Sequence, residues 1–228
     1  MIHILWCTIR PQTFMQTHSD WMAKCSCTEN VKTMVALNTE EHAAIIRPYG
    51  EKYSLETIIV GDERIGMAYP AYCLSSRLKA DDMDVVVLAS DDIFPPEAWD
   101  EYLINKFADF SGCLYVRDGY QENIKNKGLP SITIPIMTYN CLKELNHVIY
   151  HPEYRQLFCD SELYINLKEK GLLKDDRESD MTTFEHRHYL VNKRDADIYD
   201  SVFGSYWNRD AAVFKRRMCL SLEDRLKV

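Results

Sequence analysis

The stretch from Asp84 to Trp99, Asp-Val-Val-Val-Leu-Ala-Ser-Asp-Asp-Ile-Phe-Pro-Pro-Glu-Ala-Trp, constrains the fold of this chain more than any other. Its first half is an unbroken aliphatic and β-branched run, the pattern of a strand buried on both faces of a parallel sheet. Pro95-Pro96 suits the first turn of a helix, because proline fixes φ and its missing N–H costs nothing there. The stretch therefore predicts a strand, an acidic turn and a helix in succession. Ser90-Asp91-Asp92 then stands at the carboxyl end of a central strand, where open α/β sheets place their ligands. Two adjacent carboxylates repel each other unless a cation lies between them, and hard oxygen donors suit Mg²⁺ or Mn²⁺. The same residues also read as a solvated acidic turn, and residue types alone leave both readings open.

The flanking sequence extends the pattern. Ile2 to Thr8 reads as a first strand, with Arg10-Pro11 turning the chain into a helix that runs to about Lys24. Lys32 to Leu37 is a second strand ending at Asn38. After a polar, helix-compatible stretch, Glu56 to Val60 is a third, ending in Gly61-Asp62-Glu63-Arg64. Gly66 to Leu78 predicts a helix, and Trp99, Leu103 and Phe107 mark one face of another. Strands alternating with helices imply a mostly parallel sheet with right-handed crossovers. The second half is mixed, with a seam near Phe110. Gly112 to Val116 and Ile132 to Met137 read as strands around a polar loop, Asp118 to Lys127, that could act as a flap. Asn140 to Asn146 is a short helix. Asp160 is a candidate N-cap for a helix ending at Gly171. Met181 to His188 reads as extended and Ser205 to Leu222 as helical, with Val213, Phe214 and Met218 towards the body. Trp99 and Trp207 both read as core residues.

A chain of 228 residues suits one sizeable α/β domain. Its net charge of −8 gives no general attraction to nucleic acid or to an anionic membrane surface. Eight cysteines are too sparse for a disulfide scaffold. Several of them (Cys7, Cys73, Cys113) sit in apolar runs, so a reducing compartment, the cytoplasm, is expected. Cys25-Ser26-Cys27 lacks zinc-site spacing. Ile4 to Cys7 reads as a strand and not a leader peptide, and no segment approaches membrane-spanning length.

Other residues carry chemistry in some readings and none in others. Glu185-His186-Arg187-His188 puts two histidines on one side of an extended segment; they read as metal ligands or as hydrogen-bonded structural residues. Asp160-Ser161-Glu162 opens a helix and reads as cap and acidic first turn, or as a source of a general base. Arg10, Arg64 and Arg77 suit a phosphate or the surface. Lys193-Arg194 and Lys215-Arg216-Arg217 suit phosphate contacts or a solvated face. There is no P-loop and no Gly-x-Gly-x-x-Gly after the first strand, which argues against a kinase or a nicotinamide enzyme.

Six stretches stand in a telling order: Thr8-Ile9-Arg10-Pro11, Val60-Gly61-Asp62-Glu63, Arg64 to Ala68, Leu88 to Asp100, Asp160-Ser161-Glu162-Leu163 and Phe184 to His188. In that order they resemble the family 2-like glycosyltransferases with the GT-A fold, enzymes that use nucleotide sugars. The resemblance implies an α/β, Rossmann-like GT-A domain over residues 1–228, with a nucleotide-sugar-binding half (1–110) and an acceptor-binding half (111–228). It implies a UDP-sugar donor, Mn²⁺ or Mg²⁺, and transfer of a hexose or pentose to an acceptor hydroxyl with inversion. Thr8 and Arg10 would border the base, Asp62 the uracil or ribose, and Arg64 the diphosphate. Asp92 and His186 would hold the metal, with Asp91 beside them touching ribose or metal. Asp160 would be the catalytic base, with Glu162 its rival. Ser90 stands where the family carries the first aspartate of its Asp-x-Asp motif. Acceptors implied are a glycan, a protein or, as in compact phage members of the family, hydroxymethylated pyrimidines in DNA; a viral chain would then act in the host cytoplasm. Competing readings are a nucleotidyltransferase, which would call for a glycine- and lysine-rich loop after the first strand that Thr8 to Thr13 lacks, and a silent nucleotide- or sugar-binding module.

Overall fold

The structure is a computed structural model and describes residues 1–61, 66–119, 129–179, 184–188 and 204–228. Asp62, Arg64, Lys193 and Arg194, together with most of the Asp118 to Lys127 loop, lie outside the described residues.

Among the described residues seven strands form one sheet: β1 (Ile2–Thr8), β2 (Val31–Leu37), β3 (Glu56–Ile59), β4 (Val85–Ala89), β6 (Cys113–Tyr115), β7 (Ile136–Thr138) and β8 (Leu173–Asp175). Their order is β3-β2-β1-β4-β7-β6-β8. Only β7 runs against the rest, since it pairs antiparallel with both β4 and β6 while the other pairings are parallel. The β4–β7 pairing makes one sheet of both halves of the chain. A separate antiparallel ribbon pairs β5 (Ile93–Phe94) with β9 (Glu185–His186).

Strand β4 is buried along its whole length, as its residue run requires. The two faces of the sheet divide by the two-residue period of a strand. Ile4, Trp6, Val85 and Val87 pack with Phe14 and Trp21 of α1 (Pro11–Ala23) and with Leu103 and Phe107 of α4 (Trp99–Phe107). Leu5, Val86 and Leu88 pack on the other side with Leu74 of α3 (Ala68–Arg77), Leu142 of α5 (Tyr139–Glu144) and Leu163 of α6 (Cys159–Glu169). Helix α2 (Glu40–Tyr53) is capped by Thr39, whose hydroxyl accepts from the His42 N–H. Helices α7 (Trp207–Arg217) and α8 (Leu222–Arg225) close the chain. No helix among the described residues is long and apolar enough to cross a membrane.

The structure departs from the sequence expectations in four places. Helix α4 starts at Trp99 and not at the prolines, because Ile93–Phe94 first pairs with β9 and Ala98 turns the chain through a left-handed conformation. The strand expected over Ile132 to Met137 is regular only from Ile136, since Pro135 has no N–H to give a ladder. Asp160 is not the N-cap of α6; Phe158, at φ 65°, holds that position and Asp160 lies in the first turn. Trp207 is 58% exposed, whereas Trp99 is fully buried.

His18 on α1 carries a pH consequence. Its ring is fully buried, with Nδ1 2.8 Å from the Tyr49 hydroxyl and Nε2 3.1 Å from the Thr33 hydroxyl. Burial lowers its pKa from 6.5 to about 4. The unfolded chain therefore takes up this proton first as pH falls, and stability drops between pH 6.5 and 4. The cost is on the order of 3 kcal/mol. A series of urea melts from pH 7.5 to 4.5 should show this loss, and His18→Gln should flatten the curve.

Candidate functional site

Beyond the carboxyl ends of β1 and β4 lies a cavity of about 210 Å³. Of the residues singled out above, Thr8, Arg10, Asp91, Asp92, Asp160 and His186 all line it. They come from four separate parts of the chain, brought together by the strand order β1-β4 and by the small β5–β9 ribbon.

The turn after β4 is held by aromatic side chains. Trp6 packs edge-on against Phe14 and Trp21, with centroids 5.2 and 5.8 Å away, and Trp21 against Trp99 at 5.0 Å. The Trp21 indole N–H donates to the Ile93 carbonyl at 2.8 Å, and the Trp99 N–H to the Trp21 carbonyl at 2.8 Å. Next to them, Asp100 accepts the Ser26 and Cys27 N–H groups at 2.8 and 2.9 Å. Thus Trp99 and Asp100 serve as buttresses of the turn.

The two adjacent aspartates have different jobs. Asp91 is 6% exposed and turned onto β1, accepting from the Trp6 indole N–H at 2.9 Å and the Thr8 hydroxyl at 2.7 Å. Its carbonyl accepts the Thr17 hydroxyl at 2.7 Å. Burial lifts its pKa to about 7 against the pull of those two donors. Thr8 also accepts the Arg10 N–H at 2.9 Å, so its hydroxyl knits the β1 turn together. We expect Asp91→Ala to strand the indole N–H and the hydroxyl, lowering unfolding free energy by about 2–4 kcal/mol. Denaturant melts would read that loss, and an unchanged midpoint would remove Asp91 from its bracing role.

Asp92 lines the same cavity with a different set of partners. The Ser90 hydroxyl donates to its Oδ1 at 2.8 Å, and its Oδ2 lies 3.3 Å from His186 Nε2. The ribbon sets this contact: Ile93 pairs with His186, and the Arg187 N–H donates to the Asp92 carbonyl at 2.7 Å. Burial pushes the Asp92 carboxyl up, but the hydrogen bond and charge of His186, with the Ser90 hydroxyl, outweigh it. The group is held well below the usual carboxylate range. His188 also lines the cavity, its ring centroid 5.1 Å from that of His186.

Donor chemistry and spacing fit a divalent cation. Two ligand atoms each about 2.1 Å from one ion and at right angles to each other stand about 3.0 Å apart. Asp92 Oδ2 and His186 Nε2 are 3.3 Å apart. Among the described residues no three His, Cys, Asp or Glu side chains converge as a complete metal site. The remaining positions would fall to substrate oxygens and water, as is usual for Mg²⁺-like ions on few carboxylates.

Asp160 lines the cavity from the first turn of α6. It accepts the Ser161 N–H at 2.9 Å, and burial raises its pKa against that bond and one from Ser131. Glu162 is placed elsewhere. It is 3% exposed, is not among the cavity's lining residues, and pairs both oxygens with Arg217 while Tyr154 donates to it at 2.6 Å. Sequence reasoning missed Thr133, Tyr150 and Gln156 as lining residues. Tyr150 and Gln156 arrive on loops in the mixed half, where no periodicity marks them, and Thr133 lay inside the expected strand Ile132 to Met137, whose first residues are irregular. Asn38 was visible only as the polar end of the second strand.

No family profile and no curated protein matches the sequence. Solved structures do match. The S. aureus TarS structure superposes with a TM-score of 0.59 at 13% identity, over 91% of this chain and 43% of that one. A 1–349 form of TarS in complex with UDP gives 0.59 at 12% identity, over 98% and 76%. The fold is GT-A-like. A mannosyltransferase, PcManGT from Pyrobaculum calidifontis, in complex with GDP-Man and Mn²⁺, gives 0.58 at 12% identity over 78% and 55%. A Bacillus anthracis protein assigned as a glucose-1-phosphate thymidylyltransferase gives 0.53 at 11% identity over 87% and 97%. The GT-A-like fold expected from the motif order thus stands, while the chain spans less than half the length of the TarS chain first matched. At this identity the likeness concerns the fold alone.

Proposed function

We propose that the chain is a metal-dependent, inverting glycosyltransferase that moves a sugar from a UDP-sugar to an acceptor hydroxyl. One observation carries the reading: Asp92 paired with His186, and Asp160 from the first turn of α6, line a single cavity at the carboxyl ends of β1 and β4. Asp92 and His186 would hold Mn²⁺ or Mg²⁺, which supplies charge neutralisation at the leaving diphosphate. Thr8 and Arg10 border the nucleotide end. Asp91 acts by bracing the turn that aims Asp92. Asp62 and Arg64 keep the roles the resemblance implies, Asp62 at the uracil or ribose and Arg64 at the diphosphate. Asp160 takes the proton from the acceptor hydroxyl as it attacks, and a single displacement inverts the anomeric centre. Glu162, committed to Arg217, holds α6 in place and takes no part in proton transfer.

The likeness to a nucleotidyltransferase favours one competing reading, transfer of a nucleotidyl group with release of pyrophosphate. Thr8 to Thr13 carries no glycine or lysine, and α1 begins at Pro11, which leaves no room for a phosphate-cradling loop. For the acceptor, hydroxymethylated DNA would call for exposed cations. Arg216 and Arg217 are paired with Glu153 and Glu162, which weakens the case for a polyanion on that face. A screen of nucleotide sugars with Mn²⁺, against glycans, proteins and modified DNA, tests the reading. Release of UDP supports it, and release of pyrophosphate from a nucleoside triphosphate with a sugar phosphate replaces it.

A further inference from the structure

A carboxylate with no exposed surface must find compensating donors, and Asp210 on α7 finds them in a loop. Its Oδ1 accepts the Arg155 N–H at 3.1 Å, and its Oδ2 accepts the Gln156 and Leu157 N–H groups at 2.9 Å each. The Arg209 guanidinium adds a contact at 2.9 Å. Three consecutive backbone N–H groups on one carboxylate are charge-assisted bonds that fix the path of residues 155–157.

The other side of that loop presses on the entrance to α3. The Met67 N–H donates to Gln156 Oε1 at 2.9 Å, and the Ala68 N–H to the Arg155 carbonyl at 3.3 Å. Gly66 sits at φ +77°, and a Cβ there would lie 2.1 Å from the Arg155 carbonyl oxygen. Backbone therefore meets backbone with no space between. Because the Met67 N–H needs an acceptor, the Gln156 amide oxygen must face it, which leaves the Nε2 amino group as the donor this side chain can offer a substrate. Gly66, Met67, Gln156 and Leu157 all line the cavity.

We propose that Asp210 is a positioning residue for donor binding, setting Gln156 against the start of α3 so that the Gln156 amino group meets an oxygen of the nucleotide sugar. This rests on the glycosyltransferase reading and adds to it a role for the last long helix, α7, which lies outside the six stretches that carry the resemblance. Asp210→Asn keeps the size but turns an amino group towards backbone N–H groups. Gln156→Glu keeps an acceptor for the Met67 N–H while replacing the substrate-facing donor with an oxygen.

Steady-state kinetics and amide hydrogen exchange on the full chain test the proposal together. Both variants should raise the donor KM by about tenfold or more, and raise it more than they lower kcat. In Asp210→Asn the amides of Met67 and Ala68 should exchange faster along with those of residues 155–157, while the amides of β1 and β4 stay protected. An unchanged donor KM in both variants, or faster exchange confined to 155–157, overturns it. If the wild-type chain turns over no nucleotide sugar, the glycosyltransferase reading falls separately, and unaltered exchange at Met67 and Ala68 would then refute the coupling on its own.

Discussion

Asp160→Asn should cut the rate by roughly 10²-fold to 10⁴-fold, the usual size of general-base catalysis, while leaving affinity for UDP and Mn²⁺ within a few-fold of wild type. The amide keeps an oxygen for the Ser161 N–H, so the first turn of α6 keeps its shape and only the proton acceptor is lost. Because burial raises the pKa of Asp160, the acid limb of the wild-type profile should lie above the ordinary carboxylate range. Glu162→Gln is the matched control. It weakens the pair with Arg217 and should show first in thermal stability. A crippled kcat in Glu162→Gln beside a mild Asp160→Asn would exchange the two assignments.

The second large effect concerns stability. Arg217 is 2% exposed and fork-bonded to Glu162, at 2.7 Å through one nitrogen and 2.9 Å through another, and its guanidinium also donates to the Arg225 carbonyl at 2.5 Å. It pins α6 to the end of the chain. Arg217→Met leaves the Glu162 carboxylate buried beside Tyr154 alone, at a cost of about 3–5 kcal/mol. The double variant Arg217→Met/Glu162→Leu should recover most of that, since apolar groups of similar volume replace buried ion pairs at little net cost. Urea melts of the three proteins decide the point. A single variant as stable as wild type would show that α6 is held by its apolar face alone.

How much of this was legible in the sequence follows from how far each contact reaches along the chain. Strand β4 and the acidic turn after it are written in sixteen consecutive residues, so both the strand and the cavity-lining place of Asp92 could be read. Thr8, Arg10 and Asp160 were named through the family resemblance and not through a local pattern: Thr8 ends β1, Arg10 precedes α1 and Asp160 lies in the first turn of α6. The split between Asp91 and Asp92 was not legible. It depends on Trp6 and Thr8, more than eighty positions upstream, and on which of two neighbouring side chains faces them. Glu162 misled for the same reason: its partner lies 55 residues downstream, beyond any local pattern. Trp207 read as core because residue type says nothing of a partner surface, and the ring packs on Phe158 while most of it stays open to solvent. Gln156 carried no signal, because what places it is a buried carboxylate on a distant helix.

On the proposed reading, this cavity takes a nucleoside diphosphate through a cation held by Asp92 and His186. Calorimetric titration of UDP into the protein, at a series of Mn²⁺ concentrations and in excess EDTA, measures it directly. UDP should bind only with the divalent ion, Asp92→Ala should abolish the metal-dependent binding with the fold intact, and His186→Ala should raise the Mn²⁺ concentration required more than His188→Ala does. UDP binding of equal strength in EDTA, or an Asp92→Ala protein that binds as wild type does, would contradict it.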